Sequence, residues 1–178
     1  MQKAFPSPLL RVRRSPLSPT RGILQAGPLR LRCALGRSGT TAFKREGDGA
    51  TPLASMALLT AIRRSGRLPG LHPALPTRHS RPDSGWCDSP SHACYNQPVR
   101  FPFHASAETL QRSDRLYDLV VVLDWNIASR QRGRGSAIFL HIAHPDYRPT
   151  QGCVAVSPLD MRRLQPFLRP GMRLLVSG

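Results

Sequence analysis

The chain has 178 residues, a formal net charge of +16, 40% hydrophobic residues and only 6% aromatic ones. That length suits one domain around one core, the apolar fraction excludes a wholly disordered chain, and no apolar run is long enough for a membrane-spanning helix. The positive charge is nearly all arginine, since Lys3 and Lys44 are the only lysines. Arginines dispersed along a sequence read as solvated surface, which is also what codon bias in a GC-rich genome produces, and no nucleic-acid partner is expected.

Residues 1–19 form a Pro/Ser/Arg-rich stretch with little ordering force, expected as a weakly ordered tail ahead of a single domain over 20–178. Arg13 and Arg14 are followed by no apolar core of a signal peptide, so no export signal is visible. From Gly22 to Leu35 the chain reads as two short strands around Gly27-Pro28, with Leu29, Leu31 and Cys33 alternating against Arg30 and Arg32. A Gly/Asp turn at 46–49 leads into an apolar stretch over 53–62. Residues 69–102 are rich in Pro, His, Ser and Asp and read as irregular structure, too long for a routine connection and therefore an ordered or ligand-binding loop.

The second half is more regular. Residues 117–125 form a β-branched run expected as a buried strand, and residues 136–141 a second strand that ends on His141. Between them, 130–135 is a basic turn. A loop over 145–152 returns the chain, and 153–156 begin another short strand. Ser157-Pro158 suits a helix start, with Ser157 as cap and Pro158 in the first turn. Leu159, Leu164 and Phe167/Leu168 recur at helical spacing before Arg169-Pro170-Gly171 ends the helix, and 172–176 form a last strand. The fold class expected is mainly β, largely antiparallel, with one or two helices.

Four cysteines occur, at 33, 87, 94 and 153, without the paired spacing of a structural zinc site. Cys87 and Cys94, with His92 between them, suit a disulfide or a metal site, but read more simply as ordinary loop or core thiols. No metal or cofactor is expected. Cys153 differs in its surroundings. A histidine within hydrogen-bond reach of a thiol takes its proton and leaves a thiolate–imidazolium pair. A hairpin-like return through 145–152 would set His141 and Cys153 face to face. Gly152 permits a sharp turn there, and the N–H groups of Gly152 and Cys153 are candidate oxyanion donors. Thr150 and Gln151 are candidate orienting or substrate-contacting residues. His144 is a rival base, set in extended geometry by Pro145; Tyr117, Asp118 and Arg134 are candidate cleft residues, although Tyr117 reads more simply as packing and Arg134 as a solvated turn residue. Taken singly, Cys153 reads more simply as a small core residue and His141 as a structural one; together they point to the site.

Taken together these residues resemble the L,D-transpeptidases, a family that carries a histidine, a loop, and then [Ser/Thr]-x-Gly-Cys before a small apolar residue. Here the pieces are His141 and Thr150-Gln151-Gly152-Cys153-Val154. An upstream Lys-x-Gly-Asp-x-x-Thr-Pro feature is echoed, with one extra residue, by Lys44 through Pro52. Gly85-Trp86-Cys87-Asp88 and Tyr95-Asn96-Gln97-Pro98-Val99 look like features of one subgroup. The chain departs from the pattern at Gln151, where many members have a second histidine, at Ala155, where arginine or asparagine is common, at Ala54 in place of a glycine, and in the short loop before Cys153.

The resemblance implies an L,D-transpeptidase-like β-sandwich and a cysteine acyltransferase acting on peptidoglycan stem peptides. Cys153 would attack the carbonyl between diaminopimelate and D-alanine, with His141 as base and then acid, and an amine would resolve the thioester. Cell-wall cross-linking or anchoring in the bacterial envelope follows as the expected role, although an unexported chain would be cytoplasmic. A thiol L,D-carboxypeptidase and a non-catalytic basic module holding an anionic polymer are the alternatives. Oligomeric state and acyl acceptor stay open.

Overall fold

A computed structural model describes residues 9–178. In chain order the elements are β1 (Leu9–Ser15), β2 (Ser18–Ala26), β3 (Leu29–Ala34), β4 (Thr40–Thr41), β5 (Thr51–Pro52), β6 (Ser55–Arg64), β7 (Thr77–Ser80), β8 (Ser84–Cys87), β9 (Pro98–Arg100), β10 (Ala107–Thr109), β11 (Leu119–Leu123), β12 (Phe139–Ile142), β13 (Val154–Val156), α1 (Pro158–Arg163), a 3-10 turn at Gln165–Phe167, and β14 (Arg173–Ser177). The fold is mainly β with one short α-helix, as the sequence implies. None of the described helices is long and apolar enough to cross a membrane.

One sheet dominates, with strand order β11-β12-β13-β3-β2-β1-β14-β6-β7. Because β6 also pairs with β11, the ladder closes on itself, joining the two layers of the expected sandwich into a continuous ring. Its interior is filled by alternate residues of the strands, among them Leu10, Val12, Leu24, Leu31, Leu140, Val154 and Val176, with Met161, Leu164 and Leu168 packed on from the α1 region. Helix α1 begins as its sequence dictates: Ser157 Oγ accepts from the Asp160 N–H at 3.1 Å, and Pro158 lies in the first turn.

Two expectations need correction. The weakly ordered tail expected over residues 1–19 is strand from Leu9 onward; residues 1–8 lie outside the described residues. Leu10 and Val12 point inward and β1 pairs with both β2 and β14, so core burial supplies the ordering force that composition hides. The irregular stretch expected over 69–102 contains β7, β8 and β9. Strands β8 and β9 join β10 in a separate three-stranded sheet, order β10-β8-β9. Trp86 of this small sheet packs edge-on against Phe139 of β12, ring centroids 5.2 Å apart. This contact sets the small sheet against the outer face of β11–β13, where a second hydrophobic cluster includes Cys153.

Candidate active site

Strands β12 and β13 run parallel, with Leu140 beside Val154 and His141 beside Ala155. The hairpin-like return expected between His141 and Cys153 is therefore a crossover: the 143–153 segment doubles back before β13 starts, as parallel pairing requires. The side-chain alternation still brings the pair to one face. Leu140, Ile142, Val154 and Val156 enter the interior, while Phe139, His141, Cys153 and Ala155 face outward. His141 and Cys153 line one cleft of about 570 Å³.

The Cys153 thiol is held by the backbone of the strand beside it. Sγ–H donates to the Ala137 carbonyl at 3.2 Å, and the Phe139 N–H donates to Sγ at 3.4 Å. Ala137 is fixed in turn by the subgroup-like segments. Asn96 Oδ1 accepts from the Trp86 indole N–H and from the Ala137 N–H, both at 3.0 Å, and Asn96 Nδ2 donates to the carbonyls of Trp125 and Asn126. Ala137 adopts φ 52°, which explains why the strand expected from residue 136 begins only at Phe139.

The turn before Cys153 is equally constrained. Thr150 Oγ1 donates to the Cys153 carbonyl at 2.7 Å and accepts from the Gly152 N–H at 3.1 Å. Thr150 is thus a backbone clamp. The Gly152 N–H, expected as an oxyanion donor, is already engaged, which leaves the Cys153 N–H as the candidate of the two. Gly152 has φ 132°, and a Cβ there would lie 2.9 Å from the Ala50 carbonyl oxygen, so both conformation and space require glycine. Gln151 is exposed at the cleft rim and accepts from Arg37 Nε at 2.9 Å.

The two sequence features that carry the resemblance meet here. Buried Lys44 pairs with Asp48, whose carboxylate also accepts from the N–H groups of Arg45 and Ala50. Burial pushes the Asp48 carboxyl up, but these hydrogen bonds outweigh it and hold the group below the usual carboxylate range. The loop so closed presents Thr51, whose hydroxyl accepts from the Gly36 N–H at 2.9 Å and reaches the Cys153 carbonyl at 3.5 Å.

His141 is fully buried by its surroundings, its ring 5.0 Å from that of Tyr117 at 78°. Its Nδ1 lies 2.9 Å from the Ile142 carbonyl, so Nδ1 carries the proton and Nε2 is the basic nitrogen. Burial pushes the imidazole down to about 4 and the Cys153 thiol up to about 12, the nearby Glu108 adding to the latter. Burial thus favours the uncharged form of both groups and works against the resting thiolate–imidazolium pair expected from the sequence.

His144 stands at the rim, its Nδ1 2.6 Å from Asp146, which also pairs with Arg148. Tyr117 does line the cleft. Asp118 and Arg134 do not: Asp118 is buried away from it, and Arg134 belongs to a shallower depression beside Trp125. The structure adds three acidic groups, of which Glu46 and Asp88 fall within the family-like segments and Glu108 carries no sequence signal. Glu108, reached through β10, accepts from the Tyr117 hydroxyl at 2.5 Å, and burial raises its carboxyl. Glu46 accepts from the Tyr95 hydroxyl at 2.5 Å, and Asp88 faces the same cleft with Oδ1 unpartnered. All four cysteines are free thiols; the Cys94 N–H donates to His92 Nδ1 at 3.0 Å, a local turn contact.

Among solved structures, the chain is similar to an L,D-transpeptidase from Mycobacterium smegmatis, at 11% identity and TM-score 0.42, covering 96% of this chain and 58% of that one. It is also similar to L,D-transpeptidase 1 of Mycobacterium tuberculosis (14% identity, TM-score 0.42, 96% and 62% covered) and to a further L,D-transpeptidase from Mycobacterium tuberculosis H37Rv (10%, 0.45, 96% and 57%). The chain thus spans less than two thirds of the length of each. No curated protein matches it. A family model of the L,D-transpeptidase catalytic domain, YkuD, matches residues 24–176, from within β2 to within β14. This chain belongs to the YkuD L,D-transpeptidase catalytic-domain family.

Proposed function

We propose that this chain is a peptidoglycan L,D-transpeptidase of the bacterial cell envelope that works through a Cys153 thioester. The observation that carries the reading is the placement of Cys153 and His141 on the same face of adjacent strands, lining one cleft. Burial favours the uncharged form of both groups, so the sulfur becomes nucleophilic as its proton leaves. His141 Nε2 accepts the thiol proton while Sγ attacks the stem-peptide carbonyl, and the oxygen that gains charge is met by the Cys153 N–H. The C–N bond to D-alanine then breaks, His141 returns the proton to the departing amine, and an acyl–S bond remains. An acceptor amine attacks that thioester, gives its proton to His141, and expels sulfur, which regains a proton. The cleft carries both carboxylates, Glu46 and Asp88 among them, and the guanidinium groups of Arg112 and Arg148, so it can meet the ammonium and the carboxylate of stem peptides.

The test is to incubate the protein with a carbapenem and weigh the intact chain, then to incubate it with disaccharide-tetrapeptides and weigh the products. A single acyl adduct absent from Cys153→Ala, and dimeric products with loss of D-alanine, are expected. Tripeptide products without dimers would assign hydrolysis instead. No adduct and no turnover would refute the reading.

A further inference from the structure

Arginines that are scattered in the sequence converge in the fold. On β1–β3 the inward positions are Leu10, Val12, Leu24, Leu31 and Cys33, so the alternate residues share the outer face. Register places Arg11 beside Gln25 and Gln25 beside Arg30; one step along, Arg13 lies beside Ile23 and Ile23 beside Arg32. Two arginine walls, on β1 and β3, therefore flank a floor of Ile23 and Gln25 on β2, with Arg21 at one end, forming a groove of about 680 Å³. The walls stand about 10 Å apart and successive arginines on one wall about 7 Å apart, from strand spacing and rise.

These four guanidinium groups are exposed, and among the described residues none forms an ion pair with a carboxylate. Like charges side by side on a sheet are unfavourable unless an anion lies between them. The groove also lies on the face that bears Cys153: Ala34, at the end of β3, pairs with Ala155 of the cleft. The 144–150 loop divides the two, with Arg148 lining the cleft and Tyr147 the groove, where the Arg32 guanidinium sits 5.9 Å from the Tyr147 ring centre.

We infer that the arginine groove binds carboxylate-bearing stem peptides of the same peptidoglycan strand whose reacting stem occupies the Cys153 cleft. This rests on the transpeptidase reading for the identity of the strand. It makes the chain a reader of multi-stem strands rather than of isolated stems, because one strand engages two sites at once.

The test compares wild type with Arg11→Gln/Arg13→Gln/Arg30→Gln/Arg32→Gln and with the corresponding four-lysine variant. With uncross-linked multi-stem strands the glutamine variant is expected to show a KM raised about ten-fold and a weaker salt dependence, with kcat and the rate of carbapenem acylation unchanged. Single disaccharide-tetrapeptides should not distinguish the proteins, and the lysine variant should recover most of the loss. Co-sedimentation with purified sacculi reads the groove without turnover, so it separates failure of the groove from failure of the catalytic reading. Unchanged KM and sedimentation in the glutamine variant would overturn the inference. So would arginine-dependent binding to phosphatidylglycerol vesicles or duplex DNA with none to sacculi.

Discussion

Asn96 is the point at which the small sheet, the β11–β12 connection and the thiol are tied together, and Asn96→Ala tests that linkage. The side chain is buried and makes four hydrogen bonds, two as acceptor and two as donor. Removing it leaves the Trp86 indole N–H and the Ala137 N–H without an acceptor. A buried unpaired donor costs about 1–3 kcal/mol, so the pair gives about 2–6 kcal/mol of destabilisation. That is a large part of a typical folding free energy of 5–15 kcal/mol. Urea unfolding followed by tryptophan fluorescence should show a lower midpoint with an unchanged slope. The same change frees Ala137, whose carbonyl holds the Cys153 thiol, so carbapenem acylation measured well below the unfolding transition should slow at least ten-fold. A variant within about 1 kcal/mol of wild type, acylating at the wild-type rate, would refute both the bracket and its link to the sulfur.

Gly152→Ala should cost about 1–3 kcal/mol from backbone strain, with further loss as the new Cβ presses on the Ala50 carbonyl, and should cut acylation more than it cuts stability; intact-mass kinetics beside urea melts would show the split. His141 carries a pH signature. Its pKa in the folded chain, about 4, lies below the ordinary 6.5, so the unfolded chain binds the proton first. Its stabilising contribution is complete above pH 6.5 and is lost as pH falls toward 4, a change of about 3 kcal/mol. His141→Gln should flatten stability against pH in that window and lower the acylation rate by about 10²–10⁴; melts from pH 7 to pH 4 and stopped-flow acylation would check both.

The parts of the fold that were legible in the sequence are those whose signal is local. The β-branched run at 119–123, the Ser157-Pro158 helix start and the alternation of Leu29, Leu31 and Cys33 against arginine all correspond to observed elements. Strand β1 shows the limit: Leu10 and Val12 alternate as a strand should, yet prolines and arginines surround them, and the partner strand β14 lies at the other end of the described chain. His141 and Cys153 were marked by residue type and spacing, but their parallel register depends on how the 143–153 segment crosses over. Glu108, in the three-residue strand β10, and Asp88, just after β8, reach the cleft from elements too short to show a period in the sequence. The shifts of the thiol and imidazole toward their uncharged forms come mainly from burial, which no short stretch of sequence encodes.

Strand β14 has a kinetic consequence. It closes the ring by pairing with β1 on one side and β6 on the other. Until residues 173–177 leave the ribosome, β1 and the start of β6 are open edges, and the nascent chain holds a cleft-bearing half with no closed barrel beneath it. Ring closure across so long a sequence separation is intrinsically slow, so pairing of β14 with β1 is expected to be the late step of refolding.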